Sequence, residues 1–511
     1  MIPSAPPLPL LRRFAGTLFA AGLVLAAAVL SGPAPAQAPA AATASARDVS
    51  DGLTAKIEEL IRTCKLEKAR VGVAVVDPAD GHPLVRFHAD EPFTLASNTK
   101  LLTTSTFFCR LGPDYPFRTT LARRGTLGAD GTLDGDLVVI GGGDPALTIL
   151  RDEKDPAALF RDWAKALKQA GVRRVAGGIV LDDTVFDREY FPETWRIYDC
   201  SPWWGAPIGG LVLNDSCVDL LIRPDVTAGA PVAVNPRPRT AFLRIQNEAR
   251  TAGDKARQGI GYLRKPGTND VVVKGDLARG ASSMTVNVSV NNPVLYFGTV
   301  LRETLEAEGI PVAGPAAEID PAAPARSGEL TVVDVRTTPA RDILKLLNKK
   351  SHNLYAEAFL KTLGREKRGA GTRAAGLEVV QEFLGEVGIA ENTKHTDGSG
   401  LSRDNQESPD QMVKLLAFMR TQKHFKAWYD SLPVAGEDGT LRRRMRKAPA
   451  KGKVVAKTGH IGGVAALSGY LENADGRTLL FSILVNEVQG STSGADRLQD
   501  DLCAFLVTYR P

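Results

Sequence analysis

Ser97 and Lys100 stand three residues apart in the stretch FTLASNTKLLTTSTFFC (Phe93–Cys109), whose one charged side chain is that lysine. On a helix, side chains at this spacing meet on one face. A lysine amine kept in apolar surroundings loses affinity for its proton and can take one from a neighbouring hydroxyl. That chemistry activates a serine without a histidine. The same spacing also suits a lysine that runs its stem along an apolar helix face, and the stretch alone does not separate the two.

Two further clusters widen the chemistry. Ser351-His352-Asn353, in KKSHNLYAEAF, opens an amphipathic helix from which polar side chains can reach a cleft, although a serine there also suits a helix cap. Lys457-Thr458-Gly459 closes the strand pattern KVVAKTG, where alternation sends Lys457 and Thr458 to opposite faces. Gly459 and the pair Gly462-Gly463 leave that strand edge bare, so a substrate backbone can pair with it. A competing Ser289-Val290-Asn291 lies in TVNVSVNNP, whose period of two reads as a structural strand.

The elements that hold these clusters form two similar ends and a different middle. A helix over 51–64 precedes a hairpin in VGVAVVDPADGHPLVRFHADEPF, and the Ser97 helix runs to about Leu111, stopped by Gly112-Pro113. From about 117 to 340 short strands (FRTTLARRG, GDLVVIGG, GGIVLDD, AFLRIQN, DVVVKGD, SMTVNVSVNNP) alternate with turns, relieved by helices near 156–170 and 293–308. The Pro/Ala-rich run 314–329 reads as a linker or exposed loop. Beyond 340 the chain is helical again, with helices near 372–387 and 409–421, then two strands and a final helix.

Composition narrows the class. The chain has 511 residues, 43% hydrophobic and 24% charged, with a net charge of +5 from 63 basic and 58 acidic residues. These are the proportions of a globular protein of two or three domains. No basic block carries interleaved aromatics, which argues against nucleic acid, and RRRMRK (442–447) reads as a solvated helix face. Arg12-Arg13, the apolar run Phe14–Leu30 and Ala34-Pro35-Ala36 have the layout of a signal peptide over 1–36. An uncleaved anchor and a twin-arginine signal are the alternatives; either way the chain leaves the cytoplasm. Residues 37–50 read as a disordered tether. In an oxidising compartment Cys200 and Cys217, which flank CSPWWGAPIGGLVLNDSC, are the pair expected to form a disulfide. The scattered histidines and cysteines offer no metal-site spacing, so neither metal nor cofactor is expected.

Together Ser-x-x-Lys, Ser-x-Asn and Lys-Thr-Gly, in this order in an exported chain, resemble the penicillin-recognising serine enzymes. The long β-rich insertion between the first two motifs resembles the D-alanyl-D-alanine carboxypeptidase/endopeptidase family, the class C low-molecular-mass penicillin-binding proteins. So do TLASNTK, GDLVVIGGGDPAL, GGIVLDDTVFD, GAPIGGLVLNDS, DGSGLSRDN and LPVAGEDGTLRRRM. The resemblance spans about 52–505. It implies an α+β fold: a β-lactamase/transpeptidase-like catalytic domain, an antiparallel sheet flanked by helices, from 51–116 and 341–511. Residues 117–340 would form nested β-rich inserted domains, a third one at about 187–275.

The resemblance also implies roles. Ser97 would attack the D-Ala–D-Ala carbonyl with Lys100 as base, and Ser351, tuned by Lys457, would pass a proton to the leaving amine. Asn353 would hold the acyl side-chain amide and Thr458 the terminal carboxylate. The oxyanion would meet the backbone N–H groups of Ser97 and of His460, after Gly459. Arg403, with Asn214 or Asp215, would clasp the zwitterionic end of diaminopimelate, and His352 stands where the family carries Asp or Asn. Implied partners are peptidoglycan stem peptides and beta-lactams, in the periplasm or another extracytoplasmic space. The rivals are weaker. A class A β-lactamase needs a Glu-x-x-Leu-Asn element that the sequence lacks. A related esterase pairs its lysine with a tyrosine. A silent wall-binding protein would not keep every motif residue. Gly141–Ala146 imitates a dinucleotide-binding turn without the βαβ repeat around it.

Overall fold

The computed structural model describes residues 46–510 except 80, 151, 153, 255–258, 321–328 and 392. The signal segment expected over 1–36 and most of the tether lie outside them. Both chain ends build one antiparallel five-stranded sheet, in the order Val454–Ile461, Val464–Glu472, Thr478–Asn486, Arg70–Val76, Pro83–Phe87. Its inner strands are buried on both faces, which is why they read as near-continuous apolar runs.

Alternate residues serve two cores. Leu467 and Ile483 pack with Leu53, Ile57, Leu498 and Leu502 of the first and last helices, Ala46–Thr63 and Ser493–Thr508. Ala466 and Leu484 face the other way, toward Phe107, Phe359, Met412 and Leu416. On that side Phe107 and Phe359 stack with ring centroids 4.0 Å apart, and Phe117 lies 5.7 Å from Phe359. This aromatic stack joins the helix Thr99–Arg110, which follows Ser97, to the helix Asn353–Arg368, which carries Asn353. Phe107→Ala therefore lowers unfolding free energy by about 3–5 kcal/mol. Urea denaturation measures it, and a loss below about 1 kcal/mol contradicts this role.

The middle of the chain forms three more sheets. One has Ala316–Glu318, Ile179–Asp182, Thr132–Ile140, Pro116–Leu127 and Leu330–Pro339 in that order, with Arg174–Val175 beside Thr132–Ile140. A second runs Met284–Ser289, Cys217–Arg223, Ala233–Arg237, and a third centres on Asp270–Ala278. A single apolar cluster around Leu137, Phe160, Trp163, Leu220, Val273 and Phe297 serves all three.

Several expectations change. The first helix begins at Ala46 and takes in the end of the expected tether. The expected linker contains the strand Ala316–Glu318, which pairs with Ile179–Leu181. Residues 442–447 run as turns rather than a helix face. Arg444 within them is half-buried and held by Asp496 (2.9 Å) and Asp500 (2.7 Å), so charge pairing rather than solvation places it. Gly141–Ala146 opens no helix, and Asp144 is buried, accepting from Ala146 N at 2.9 Å. Among the described residues no helix is long and apolar enough to cross a membrane.

Candidate active site

Ser97 sits in a single 3-10 turn, Ala96–Asn98, that leads directly into Thr99–Arg110. Ala96 takes a left-handed φ of 45°, which costs an L-residue on the order of 1 kcal/mol. The surroundings enforce it. Gly400 packs so closely that a Cβ there would lie 1.8 Å from the Ala96 carbonyl oxygen. Gly459 is equally constrained, because a Cβ would stand 2.9 Å from the Ser97 nitrogen. The bare strand edge read from the sequence thus admits the Ser97 turn. Asn98 Nδ2 completes the join by donating to the Lys457 carbonyl at 3.1 Å.

Lys100 is fully buried. Its amine donates to Ser97 Oγ (2.9 Å), Asn353 Oδ1 (2.6 Å) and the Ser399 carbonyl (2.6 Å). Burial pushes the amine down to about 7, against Asp397 and Glu357, which pull it up. An amine poised there accepts a proton from a hydroxyl at neutral pH, as an ordinary lysine does not.

Ser351 does not begin a helix, as the sequence suggested. It ends Ala340–Lys350 in a left-handed turn with φ 58° and ψ 44°, and the next helix starts at Asn353. That turn delivers the Ser351 hydroxyl to Lys457, whose Nζ donates to it at 2.7 Å and to the Thr458 carbonyl at 2.8 Å. Lys457 is fully buried, and burial, with the charge of Lys100, holds its amine well below the ordinary lysine range. Asn353 Nδ2 donates to the Trp204 carbonyl at 2.7 Å, so both ends of its amide are fixed.

The five motif residues therefore converge. Ser97, Ser351, Asn353, Arg403, Thr458 and His460 line one groove of about 560 Å³. The Thr458 hydroxyl donates to Thr440 Oγ1 at 2.7 Å, while the His460 ring turns toward Asp496, 2.6 Å away.

Three other sites fall elsewhere. Asn214 and Asp215 line a neighbouring cavity instead of the groove. Asn214 turns inward, its Nδ2 donating to the Cys217 carbonyl at 3.0 Å. Asp215 accepts from the Tyr355 hydroxyl at 2.7 Å and lies 3.2 Å from His352 Nε2. Burial raises its carboxyl, but His352 and Tyr355 outweigh burial and leave it lowered. His352 is thus the partner of Asp215, stacked on Tyr355 at 4.1 Å. The acid that shares the groove with Arg403 is Asp199, beside Arg196.

The expected disulfide is absent: Cys200 and Cys217 are free thiols. Hydrogen bonds close the loop in its place. Ser289 donates its N–H to Ser201 (2.9 Å) and its hydroxyl to the Cys200 carbonyl (2.6 Å), and pairs with Cys217 across two strands. Arg264 also donates to the Cys200 carbonyl, at 2.6 Å.

Sequence reasoning missed the acids below Lys100. Glu357 is buried one helical turn beyond Asn353, a spacing that puts both on one face. Its Oε1 accepts from Gly398 N at 3.0 Å. Asp397 accepts from Gly400 N (2.7 Å), Ser402 N (2.7 Å) and Trp195 Nε1 (2.9 Å). Together they tie the DGSGLSR loop so that its Ser399 carbonyl meets Lys100.

Comparison with known proteins agrees with this geometry. Residues 53–506 match the profile of the D-Ala-D-Ala carboxypeptidase 3 (S13) family. The chain is 33% identical over 469 residues to a D-alanyl-D-alanine carboxypeptidase of Actinomadura sp. (strain R39), covering 89% of this chain and 85% of that one. It is 28% identical over 426 residues to D-alanyl-D-alanine carboxypeptidase DacB of Haemophilus influenzae, covering 81% and 86%. The crystal structure of penicillin binding protein 4 (dacB) from Haemophilus influenzae superposes with a TM-score of 0.77 at 23% identity, over 89% of this chain and 99% of that one. That likeness shows the α+β, penicillin-binding-protein fold. The chain belongs to the D-Ala-D-Ala carboxypeptidase 3 (S13) family of serine hydrolases.

Proposed function

We propose that the groove hydrolyses D-Ala–D-Ala bonds of peptidoglycan stem peptides through an acyl-enzyme on Ser97. The observation that carries this reading is the Lys100 amine, buried and bridging Ser97 Oγ to Asn353 Oδ1 at 2.9 and 2.6 Å. Lys100 takes the Ser97 proton as Oγ bonds to the carbonyl carbon. Backbone N–H groups of Ser97 and His460 meet the oxyanion, each such donor being worth roughly 2.7–4 kcal/mol. Ser351, polarised by Lys457, delivers a proton to the leaving nitrogen as the C–N bond breaks. Water then enters, and its oxygen replaces Ser97 on the acyl carbon.

Binding follows from the lining. Thr458 and Thr440 receive the terminal carboxylate, and Asn353 the acyl-side amide. Arg403 and Asp199 suit a zwitterionic side-chain end, its carboxylate facing the guanidinium and its ammonium facing the acid. Beta-lactams acylate the same serine, and a Haemophilus influenzae relative is known in complex with a novel beta-lactam. A peptidoglycan substrate suits a protein working outside the cytoplasm, in the periplasm or another extracytoplasmic, wall-associated space. Incubation with a stem pentapeptide is expected to release D-alanine, and Ser97→Ala to abolish it. Release that persists in Ser97→Ala contradicts the assignment.

A further inference from the structure

The strand Val454–Ile461 ends in a stretch with few side chains to hold it. Three of the residues 459–463 are glycines, and His460 alone among them carries a polar side chain. Its backbone N–H is one of the two donors assigned to the oxyanion above. Such a donor lowers the barrier only while it stays aimed at the place where charge develops. Whatever fixes this length of chain therefore bears on the rate.

Alternation decides which way His460 faces. Val454 and Ala456 pack with Leu498 and Leu502 of the last helix, and His460 follows them on that face of the strand. There its ring meets Asp496, in the first turn of Ser493–Thr508, with Nε2 2.6 Å from Oδ1. A helix N-terminus favours an acid at this position.

Arg444, in the basic run 442–447, holds that acid from behind. Its Nη1 donates to the same Asp496 oxygen at 2.9 Å, and its Nη2 to the Asp496 carbonyl at 3.1 Å and to Gln499 Oε1 at 3.0 Å. Burial raises the Asp496 carboxyl, but His460 and Arg444 outweigh burial and leave it lowered. An ionised oxygen only accepts, so the proton between the pair sits on His460 Nε2. The His460 side chain is 38% exposed at the groove, and packing alone does not hold its ring.

We propose that Asp496, backed by Arg444, is a positioning residue for acyl transfer: by holding the His460 ring it keeps the His460 N–H aimed at the oxyanion. The proposal deepens the Ser97 reading and rests on it. Asp496 does not line the groove and acts through His460. Losing its hold costs rate in the transition state and leaves ground-state binding of penicillin unchanged.

The test uses the exported chain and benzylpenicillin. Stopped-flow kinetics separate binding from acylation, and infrared difference spectra read the ester carbonyl band of the acyl-enzyme. Asp496→Ala is expected to lower the acylation rate constant about tenfold, with the dissociation constant of the first complex within about twofold. Its ester band is expected at higher wavenumber, because the carbonyl loses hydrogen bonding. Asp496→Asn keeps an acceptor oxygen in place and is expected to stay within about threefold of wild type. His460→Ala is expected to lose as much as Asp496→Ala, and the double variant no more than either, since one route serves both. Losses that multiply, an unmoved band, or wild-type acylation in Asp496→Ala overturn the assignment while Ser97 stands. Where Asp496→Ala does not fold, His460→Ala and His460→Gln carry the test. Glutamine restores an N–H donor to Asp496 and is expected to recover most of the rate; equal rates in the two overturn the proposal. A wild type that forms no acyl-enzyme overturns the Ser97 reading, and this proposal with it.

Discussion

Lys100→Met lowers the rate of Ser97 acylation by penicillin about 10²–10⁴-fold, the range set by losing a positioned general base. Methionine keeps the length and apolar body of the side chain and removes the amine that touches Ser97 Oγ, Asn353 Oδ1 and the Ser399 carbonyl. Since no buried ammonium then needs three acceptors, folding is expected to survive and the loss to be kinetic. Stopped-flow labelling, with the thermal unfolding midpoint as control, measures it. A variant that labels within about tenfold of wild type removes Lys100 from the base role.

The pH profile of acylation is the second large effect. Only neutral Lys100 accepts a proton, and burial holds it at about 7. The rate therefore rises with pH through a midpoint near that value and falls about tenfold per unit below it. Burial sets where the midpoint lies, and Asp397 and then Glu357 pull it upward. Burial, and then the charge of Asp397, raise its carboxyl to about 7, against hydrogen bonds from Ser399 and Gly398 and the charge of Arg373. Its carboxyl and the Lys100 amine therefore titrate over the same pH range, so the charge of Glu357 bears on the midpoint. An ionised Glu357 favours the Lys100 ammonium. Glu357→Gln removes the favourable carboxylate, so the midpoint moves to lower pH. A midpoint above about 9, where ordinary lysines begin to lose protons, contradicts the buried-base account. A midpoint that Glu357→Gln leaves in place contradicts the coupling.

The sequence carried the candidate catalytic residues because each motif is short and local. Ser97 and Lys100 lie on adjacent turns of one segment, and the Lys457 strand announces itself by alternation. Most strands of the insertion were legible for the same reason, each being an apolar run bounded by turn residues. What escaped was long-range. The stretch around Lys100 holds no carboxylate, and from it the lysine looked isolated. Asp397 and Glu357 come to it from a distant loop and helix through backbone hydrogen bonds that no spacing encodes.

Local turn geometry was also hidden. Ser351 was expected to start a helix, yet it closes one with a left-handed backbone that periodicity cannot register. Asn214 and Asp215 sat at the right place in a familiar loop. The side chains follow their partners Cys217, His352 and Tyr355 into another cavity, and Asp199 takes the groove. The cysteine pair shows the same limit. Proximity of the loop ends was inferable, but Ser289 and Arg264 hold them without a covalent bond.

The central claim is that Ser97 is the nucleophile. Treating the protein with benzylpenicillin, digesting it and reading the peptide masses tests this most directly. A penicilloyl adduct confined to the peptide that contains Ser97, and absent in Ser97→Ala, is the expected result. No adduct on the wild type, or one that persists in Ser97→Ala, would contradict it.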